Sequence, residues 1–410
     1  MPNLDKSCLF STDPDIRRAL RGGAFPVADS FKDLGVIQTP TGLPNVKLAK
    51  ARDQGGNDKL VRTGMVPVPF GKRCQIAAAS GVPSALYGTS VQAITNQRLC
   101  SLRAAATAAI WRSPGRLATE VLYGILAPFR ADPLAGSVVR PWLFLTDAID
   151  RGVLQLGEVQ WLWTAGKGST GPLACAKVAL RRAGVSADAG LTQLQSSIGG
   201  YPLWRGPSRT LRDYLLSSLR AHQFMRLSRR RPLFKAIGQG VDRTATLGYL
   251  RDNHRPEVKK AALRVLMTGG TVTQSVASKW VPGGKLCPHC KLADETLFHR
   301  LWHCPRWQGT RLAELQGYTL ARLQQHFCND TVCTGLVPSD ALCLAAAATE
   351  RAVAAWPAPV VLPGRAWSDG SALDPHRPHS AEGRLGGGDR RWRRAPDGCA
   401  WDLPWEADCW

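Results

Sequence analysis

Three cysteines and one histidine in this chain have a spacing that is typical of metal-binding modules. Cys287 and Cys290 are separated by two residues, His299 follows after eight more and Cys304 after another four, which gives C-x2-C-x8-H-x4-C. Two cysteines at this spacing can turn both sulfurs toward one ion, and a later histidine and cysteine can complete the tetrahedral coordination that zinc prefers. The pattern predicts one structural zinc ion; the alternative is four unrelated buried side chains.

The second half of the motif needs a short helix that ends between the last two ligands. Residues 295–303 are typical of such a helix, and Pro305 disfavours the α conformation at Cys304. We therefore expect the helix to end near His303 and Cys304 to turn back toward the metal. His303 shares a helical face with His299, so a C-x2-C-x8-H-x3-H site is also geometrically feasible. Thiolate is the better zinc donor, which favours Cys304.

Composition indicates the class of partner. The chain of 410 residues has 53 lysines and arginines against 31 acidic residues, a net charge of +22. Such an excess favours a polyanionic partner, above all RNA or DNA, although a codon bias toward arginine would give a similar composition.

The remaining cysteines are scattered and indicate no disulfide framework. No signal-peptide pattern and no membrane-length apolar run are present, so we expect an intracellular protein, nuclear or cytoplasmic, that is not secreted.

Apolar periodicity predicts a mainly α fold with an irregular helical domain. Apolar residues recur at three- to four-residue intervals from position 91 to 130, and again at 138–154, 175–183, 210–224, 256–267 and 309–327. Residues 41–92 show no clean periodicity. Ser30 to Ile37 has the pattern of a single strand. Residues 376–410 lack the apolar runs of a packed sheet and are expected to be poorly structured.

The densest basic segment is predicted to contact phosphates. It runs from Arg220 to Arg231, and a second basic group follows it. Phe224 and Tyr249 could stack bases there, or they could face the core. The predicted nucleic-acid-binding residues are Arg220, Arg226, Arg229, Arg230, Arg231, Lys259 and Lys260.

In these motifs the chain resembles the C-terminal part of a non-LTR (LINE-type) retrotransposon reverse-transcriptase polyprotein. Phe31 to Val36 is similar to the Phe-x-x-Leu-Gly-Val strand that follows the polymerase palm in that family. The cysteine and histidine motif, with Pro305 and a Glu-Thr-Leu-x-His lead-in, is similar to its zinc knuckle. Trp367 to Ser371 resembles the first strand of a type 1 ribonuclease H domain, and this would make Asp369 its first metal-binding carboxylate.

The resemblance implies a domain organisation. It comprises the end of a palm-like region at 1–40, a basic thumb-like helical domain at 41–280, the zinc knuckle at 281–310, a helical connector at 311–364 and a truncated ribonuclease H-like start at 365–410.

Departures from the family pattern argue against catalysis by the isolated chain. Polymerase chemistry needs carboxylates that hold two metal ions, and the family's Asp-Asp pair occurs nowhere in this chain. The resemblance therefore implies that the palm lies outside it. Only 41 residues follow Asp369, too few for a ribonuclease H fold, so Mg²⁺ is expected only if such a site is completed. We predict a nucleic-acid-binding, zinc-containing remnant. The alternatives are part of an active reverse transcriptase and a zinc-stabilised helical interaction protein.

Overall fold

The structure is a computed structural model, and it describes residues 9, 14–23, 26–27, 31–33, 36–38, 46–112, 117–165, 171–204, 207–315 and 319–339. These residues belong to one compact unit, Met1–Ser339, and a second unit spans Asp340–Trp410. The described chain is mainly helical, which confirms the fold class predicted from periodicity. The domain boundaries at 40, 280 and 310 stay predictions.

The helices of the described residues vary in length from 3 to 23 residues. The α-helices are α1 (Pro14–Leu20), α2 (Val46–Met65), α3 (Phe70–Ile76), α4 (Val82–Ala85), α5 (Asn96–Trp111), α6 (Thr119–Val121), α7 (Pro133–Asp150), α8 (Leu156–Thr164), α9 (Gly171–Ala183), α10 (Ser208–Arg230), α11 (Arg243–Arg251), α12 (Glu257–Met267), α13 (Gln274–Ala277), α14 (Gln308–Leu315), α15 (Leu320–His326) and α16 (Asn329–Thr334). Wider π-helical turns cover Ala77–Gly81, Leu122–Leu126 and His299–His303, and tighter 3₁₀ turns cover Phe129–Ala131, Pro232–Gln239 and Pro305–Trp307.

Helix α10 connects two hydrophobic cores. Its first half contributes Leu211, Leu215 and Leu219 to a core around the fully buried Trp142. Its second half contributes Phe224 to another core, which also contains Phe234, Ile237 and Met267. The four-residue spacing of the leucines places them on one helical face, as the sequence predicts. The basic C-terminal end of α10 is therefore held on a well-packed helix.

The strand expected from Ser30 to Ile37 is wrong as a single element. The structure contains two short strands, β1 (Phe31–Asp33) and β2 (Val36–Gln38), which pair antiparallel with Lys32 opposite Ile37. The predicted segment is therefore divided between two paired strands rather than forming one. A second sheet joins β3 (Ser186–Ala187), β4 (Gln193–Ser196) and β5 (Gly199–Pro202) in an antiparallel meander.

Residues 41–92 are more helical than their pattern predicts. Helix α2 continues through Gly55 and Gly56, which usually weaken a helix by about 1 kcal/mol each relative to alanine. The structure explains one of them, because a Cβ atom at position 56 would lie 2.5 Å from the Cβ of Ala85. Gly56 thus lets α2 pack closely against α4, and this packing offsets the weak local propensity.

Candidate metal centre

A tight hairpin presents the first two cysteines. Leu286 pairs with Asp294, and the Cys287 backbone N–H donates a hydrogen bond to the Ala293 carbonyl at 2.8 Å. Lys291 closes the turn by donating its N–H to the Cys287 carbonyl at 2.8 Å, and its φ of 58° lies in the left-handed region. This reversal brings the Cys290 sulfur to the same side as that of Cys287.

A wide helical turn presents the other two ligands. The π-helical turn His299–His303 ends where the Cys304 N–H donates to the His299 carbonyl at 2.8 Å. Cys304 has an extended conformation with ψ 118°, as Pro305 predicts. The predicted helix end is confirmed, but the helix begins later than expected, because Glu295 and Thr296 precede it.

The four predicted ligands converge on one point. Their ligand atoms all lie within 4.8 Å of one another, and no other group of three or more His, Cys, Asp or Glu in the described part of the chain is arranged to hold an ion. The Cys287 and Cys304 sulfurs are 3.8 Å apart, and the Cys290 sulfur is 3.3 Å from His299 Nε2. Tetrahedral zinc would require edges of roughly 3.8 Å between sulfurs and roughly 3.6 Å between sulfur and nitrogen. The arrangement therefore fits a zinc-sized tetrahedron.

The surroundings favour Cys304 over His303 as the fourth ligand. Cys287 and Cys304 are fully buried and His299 is buried, whereas His303 is exposed. The His303 ring packs edge-on against Phe298, with ring centroids 4.9 Å apart. His303 therefore contacts an aromatic ring outside the ligand cluster, although it shares a helical face with His299.

The thiols differ in their electrostatic surroundings. A hydrogen bond from the Leu292 backbone N–H, 3.5 Å from the sulfur, is the main cause that lowers the pKa of Cys290. Burial raises the pKa of Cys304. A cation would lower the proton affinity of all three thiols, since zinc binds thiolate.

Two charged residues that the motif does not contain fasten this module to its neighbours. Glu295, 2 % exposed, accepts a hydrogen bond from the Gln274 N–H at the start of α13, and Arg300 lies 3.6 Å from its other oxygen. Arg311 on α14 donates to the Cys304 carbonyl at 2.8 Å. Sequence reasoning missed both roles, which depend on contacts with other helices.

The predicted basic residues on α10 differ in exposure. Arg226, Arg229 and Arg230 are exposed, whereas Arg220 and Arg231 are half-buried. Arg230 forms an ion pair with Glu120. Among the described residues, Arg226 and Arg229 form no ion pair with a carboxylate, so they are the most available cations of this segment.

The two lysines of the second predicted basic group, Lys259 and Lys260, are neutralised by nearby carboxylates. Lys259 lies 3.0 Å from Glu314, and Lys260 is buried with its ammonium 3.6 Å from Glu257. Phe224 is buried in the core rather than available to stack bases, and Tyr249 is half-buried beneath the Arg255 guanidinium at 5.2 Å.

The candidate nuclease carboxylate Asp369 lies outside the described residues, as do the helical connector beyond residue 339 and the C-terminal tail. In the part of the chain that is described, no helix is both long and apolar enough to cross a membrane.

No protein-family model, curated protein or solved structure matches this chain.

Proposed function

We propose that this protein binds nucleic acid and that its cysteine and histidine cluster holds a structural zinc ion. The observation that carries the proposal is the convergence of four ligand atoms to within 4.8 Å, supplied by a hairpin and a helix end. Four protein ligands leave no open coordination position for a substrate, which is typical of structural rather than catalytic zinc sites.

The donor set favours zinc over other common ions. Three thiolates and one imidazole are soft to intermediate donors, whereas Mg²⁺ and Ca²⁺ select oxygen ligands. Zinc binding contributes roughly 10–16 kcal/mol in zinc-finger peptides at neutral pH. This module buries few apolar side chains of its own, with Leu286 and Leu292 54 % and 77 % exposed, so metal binding would supply much of its stability.

Charge supports nucleic acid as the partner. The chain carries a net charge of +22, and Arg226 and Arg229 project from the rigid end of α10. Arginine forms bidentate hydrogen bonds with phosphate, and backbone phosphate contacts give affinity without sequence preference. We therefore propose sequence-independent binding that centres on Arg226 and Arg229.

The origin we propose is a retrotransposon reverse-transcriptase polyprotein. The motif order and the zinc-knuckle spacing support it, and the absence of an Asp-Asp pair from the sequence argues that the chain by itself has no polymerase activity. In that setting the helices and the knuckle would position template or target, and chemistry would come from a palm outside the chain.

The test is nucleic-acid binding by the zinc-loaded full chain, measured by fluorescence anisotropy across a salt series. Each phosphate contact adds roughly 0.9 to the log–log salt slope for duplex DNA and roughly 0.7 for single strands. Arg226→Ala with Arg229→Ala should reduce the slope by about two contacts, and affinity for unrelated sequences should fall equally. A control is Arg151→Ala with Arg181→Ala, which removes the same charge from two other exposed positions, one directly after α7 and one on α9. An unchanged slope in the α10 variant would contradict the proposal.

Exposed apolar side chains favour a second candidate function, a zinc-stabilised protein-interaction module. Trp280, Leu292 and Leu312 are 48 %, 77 % and 71 % exposed, and all lie in or beside the knuckle segment. Apolar exposure of this kind marks protein interfaces when it is contiguous. Binding that is insensitive to salt, or no binding to RNA or DNA, would favour this candidate.

A further inference from the structure

Two arginines from separate helices hold the same loop. Arg73 on α3 donates to the Val68 carbonyl at 2.5 Å and to the Ile110 carbonyl at 2.8 Å. Arg112, directly after α5, donates to the Gly64 carbonyl at 2.8 Å and to the Val66 carbonyl. Both guanidinium groups therefore lie along the connection between α2 and α3.

A third arginine reaches the same place from α12. The Arg264 guanidinium carbon lies 5.0 Å from the centre of the Phe70 ring, and Phe70 packs edge-on against Trp111 at 6.1 Å. Phe70 precedes Arg73 by one helical turn and Trp111 directly precedes Arg112, so these contacts place the chain positions of the three arginines beside one another. The positive charges of both Arg112 and Arg264 contribute, after burial, to lowering the pKa of Arg73.

The negative charge in this cluster does not balance the positive charge. Arg264 lies 3.2 Å from Glu257, whose side chain is 65 % exposed. Among the described residues, neither Arg73 nor Arg112 forms an ion pair with a carboxylate. Three clustered cations with one peripheral carboxylate repel one another unless an anion compensates them.

The backbone at Arg112 adds an independent observation. Arg112 occupies the position after α5 with φ 64°, where glycine or asparagine is usual because other residues are strained there. Such strain concentrates at functional sites. The exposed Arg112 side chain is held by its two hydrogen bonds to carbonyls, so its charge is fixed beside Arg73 rather than free in solvent.

We propose that Arg73, Arg112 and Arg264 form a binding site for a phosphate group of a nucleic-acid backbone. The site is distinct from the α10 surface, and its assignment to nucleic acid rests on the proposed function. Each guanidinium has further N–H donors beyond those used on carbonyls or Glu257, and the planar forks of arginine suit phosphate oxygens. A free or small-molecule phosphate has the same chemistry, so the test separates these sources.

The first experiment uses the unmodified, zinc-loaded full chain, so no variant can fail to fold. Phenylglyoxal modification of arginines is mapped by mass spectrometry in chloride, in inorganic phosphate of equal ionic strength, in a mononucleotide and in a twenty-nucleotide oligomer. We expect Arg112 to be protected by millimolar phosphate and by micromolar oligomer, with no protection in chloride. Equal modification of Arg112 in all four conditions would overturn the site. Protection by the small phosphates but not by the oligomer would overturn its assignment to a nucleic-acid backbone.

Two charge variants on α12 give opposite expectations. Arg264→Gln removes a phosphate donor and should weaken oligomer binding about tenfold, the effect of one charge-assisted contact. Glu257→Gln removes the competing carboxylate and should leave the binding of the folded variant equal or tighter. Thermal unfolding is measured beside it, because Glu257 also neutralises the buried Lys260. Arg151→Gln, whose Asp147 partner lies on α7, controls for the loss of one positive charge. Weakening by Glu257→Gln, or equal effects of Arg264→Gln and Arg151→Gln, would contradict the proposal.

The outcome is separable from that of the proposed function. If the α10 surface does not bind nucleic acid, the Arg226 and Arg229 variant leaves oligomer affinity unchanged, while protection of Arg112 by inorganic phosphate still reports the three-arginine site. If the three-arginine site is wrong, that protection is absent while the salt slope still responds to the α10 variant.

Discussion

Glu295 and Gln274 connect the candidate metal module to the helical body. A carboxylate oxygen of Glu295 accepts a hydrogen bond from the Gln274 backbone N–H at 2.7 Å, across 21 residues of sequence. Gln274 begins α13, so the buried carboxylate satisfies one of the unpaired N–H groups of a helix N-terminus. The Glu295 carbonyl also accepts from the Ser275 N–H at 3.3 Å. Glu295 therefore docks the module on α13 through both its carboxylate and its backbone carbonyl.

Replacement of Glu295 by alanine should loosen this docking. It leaves the Gln274 N–H without its partner in a partly buried position, at a cost of about 1–3 kcal/mol. We expect faster hydrogen exchange in Gln274–Ala277 with little change in α10. Glu295→Gln is the matched control, because its amide oxygen can still accept the hydrogen bond. Exchange that rises equally in both variants would show that the charge, and not the hydrogen bond, holds the two segments together.

Zinc should bind with one equivalent per chain and three sulfur ligands and one nitrogen ligand. Cys290→Ser and Cys304→Ser should lose the metal in elemental analysis, because serine is a poor zinc donor. His303→Ala should retain it, since His303 is exposed and packs on Phe298. Metal retained in Cys304→Ser and lost in His303→Ala would identify the other histidine pattern as the true site.

Removal of zinc should raise hydrogen exchange in residues 285–307 and, through Glu295, in α13. The two cores around α10 should keep their protection, since they bury their own large apolar side chains, such as Trp142 and Phe234. Acid should release the metal as well, because protons compete for the thiolates. Global unfolding of the chain on chelation at neutral pH would contradict the prediction that only these two segments lose protection.

Lys291→Gly should be neutral or stabilising. Lys291 directly follows Cys290 and has φ 58°, a conformation that glycine adopts without strain. We expect a gain of up to about 1 kcal/mol in unfolding free energy, whereas the β-branched Lys291→Val should lose at least as much. Zinc affinity, measured by competition with a chromophoric chelator, should be higher in the glycine variant than in the valine variant. A lower affinity in the glycine variant than in the valine variant would show that the turn is not strained.

The isolated chain should show neither polymerase nor ribonuclease H activity. Two-metal catalysis requires several carboxylates on a rigid scaffold, and the sequence has no Asp-Asp pair. The assays use a primed RNA template and an RNA–DNA hybrid with Mg²⁺ or Mn²⁺. Hybrid cleavage that disappears in Asp369→Asn would show that the C-terminal segment has ribonuclease H activity and would contradict this prediction. Asp389→Asn serves as the control for the loss of one acidic charge.

The sequence alone identified the four candidate metal ligands, which the fold brings together, and about half of the helices. Two cysteines two residues apart converge through one local turn, and Pro305 affects only the residue before it, so both inferences depend on short-range geometry. Helix α10 was also readable, because its leucines recur at the helical period over consecutive turns. Such signals are encoded within a few residues and do not depend on the rest of the chain.

Only the tertiary structure shows which distant segments contact one another and which charged side chains they bury. Only packing against Ala85 explains the helix through Gly56, and only the fold shows that Lys260 is buried while Arg229 is exposed. The contacts of Glu295 with α13, and of Arg264 with Phe70, join segments that no periodicity relates. A sequence pattern reports which face of an element is apolar, whereas the partner of each charged side chain depends on which other elements pack beside it.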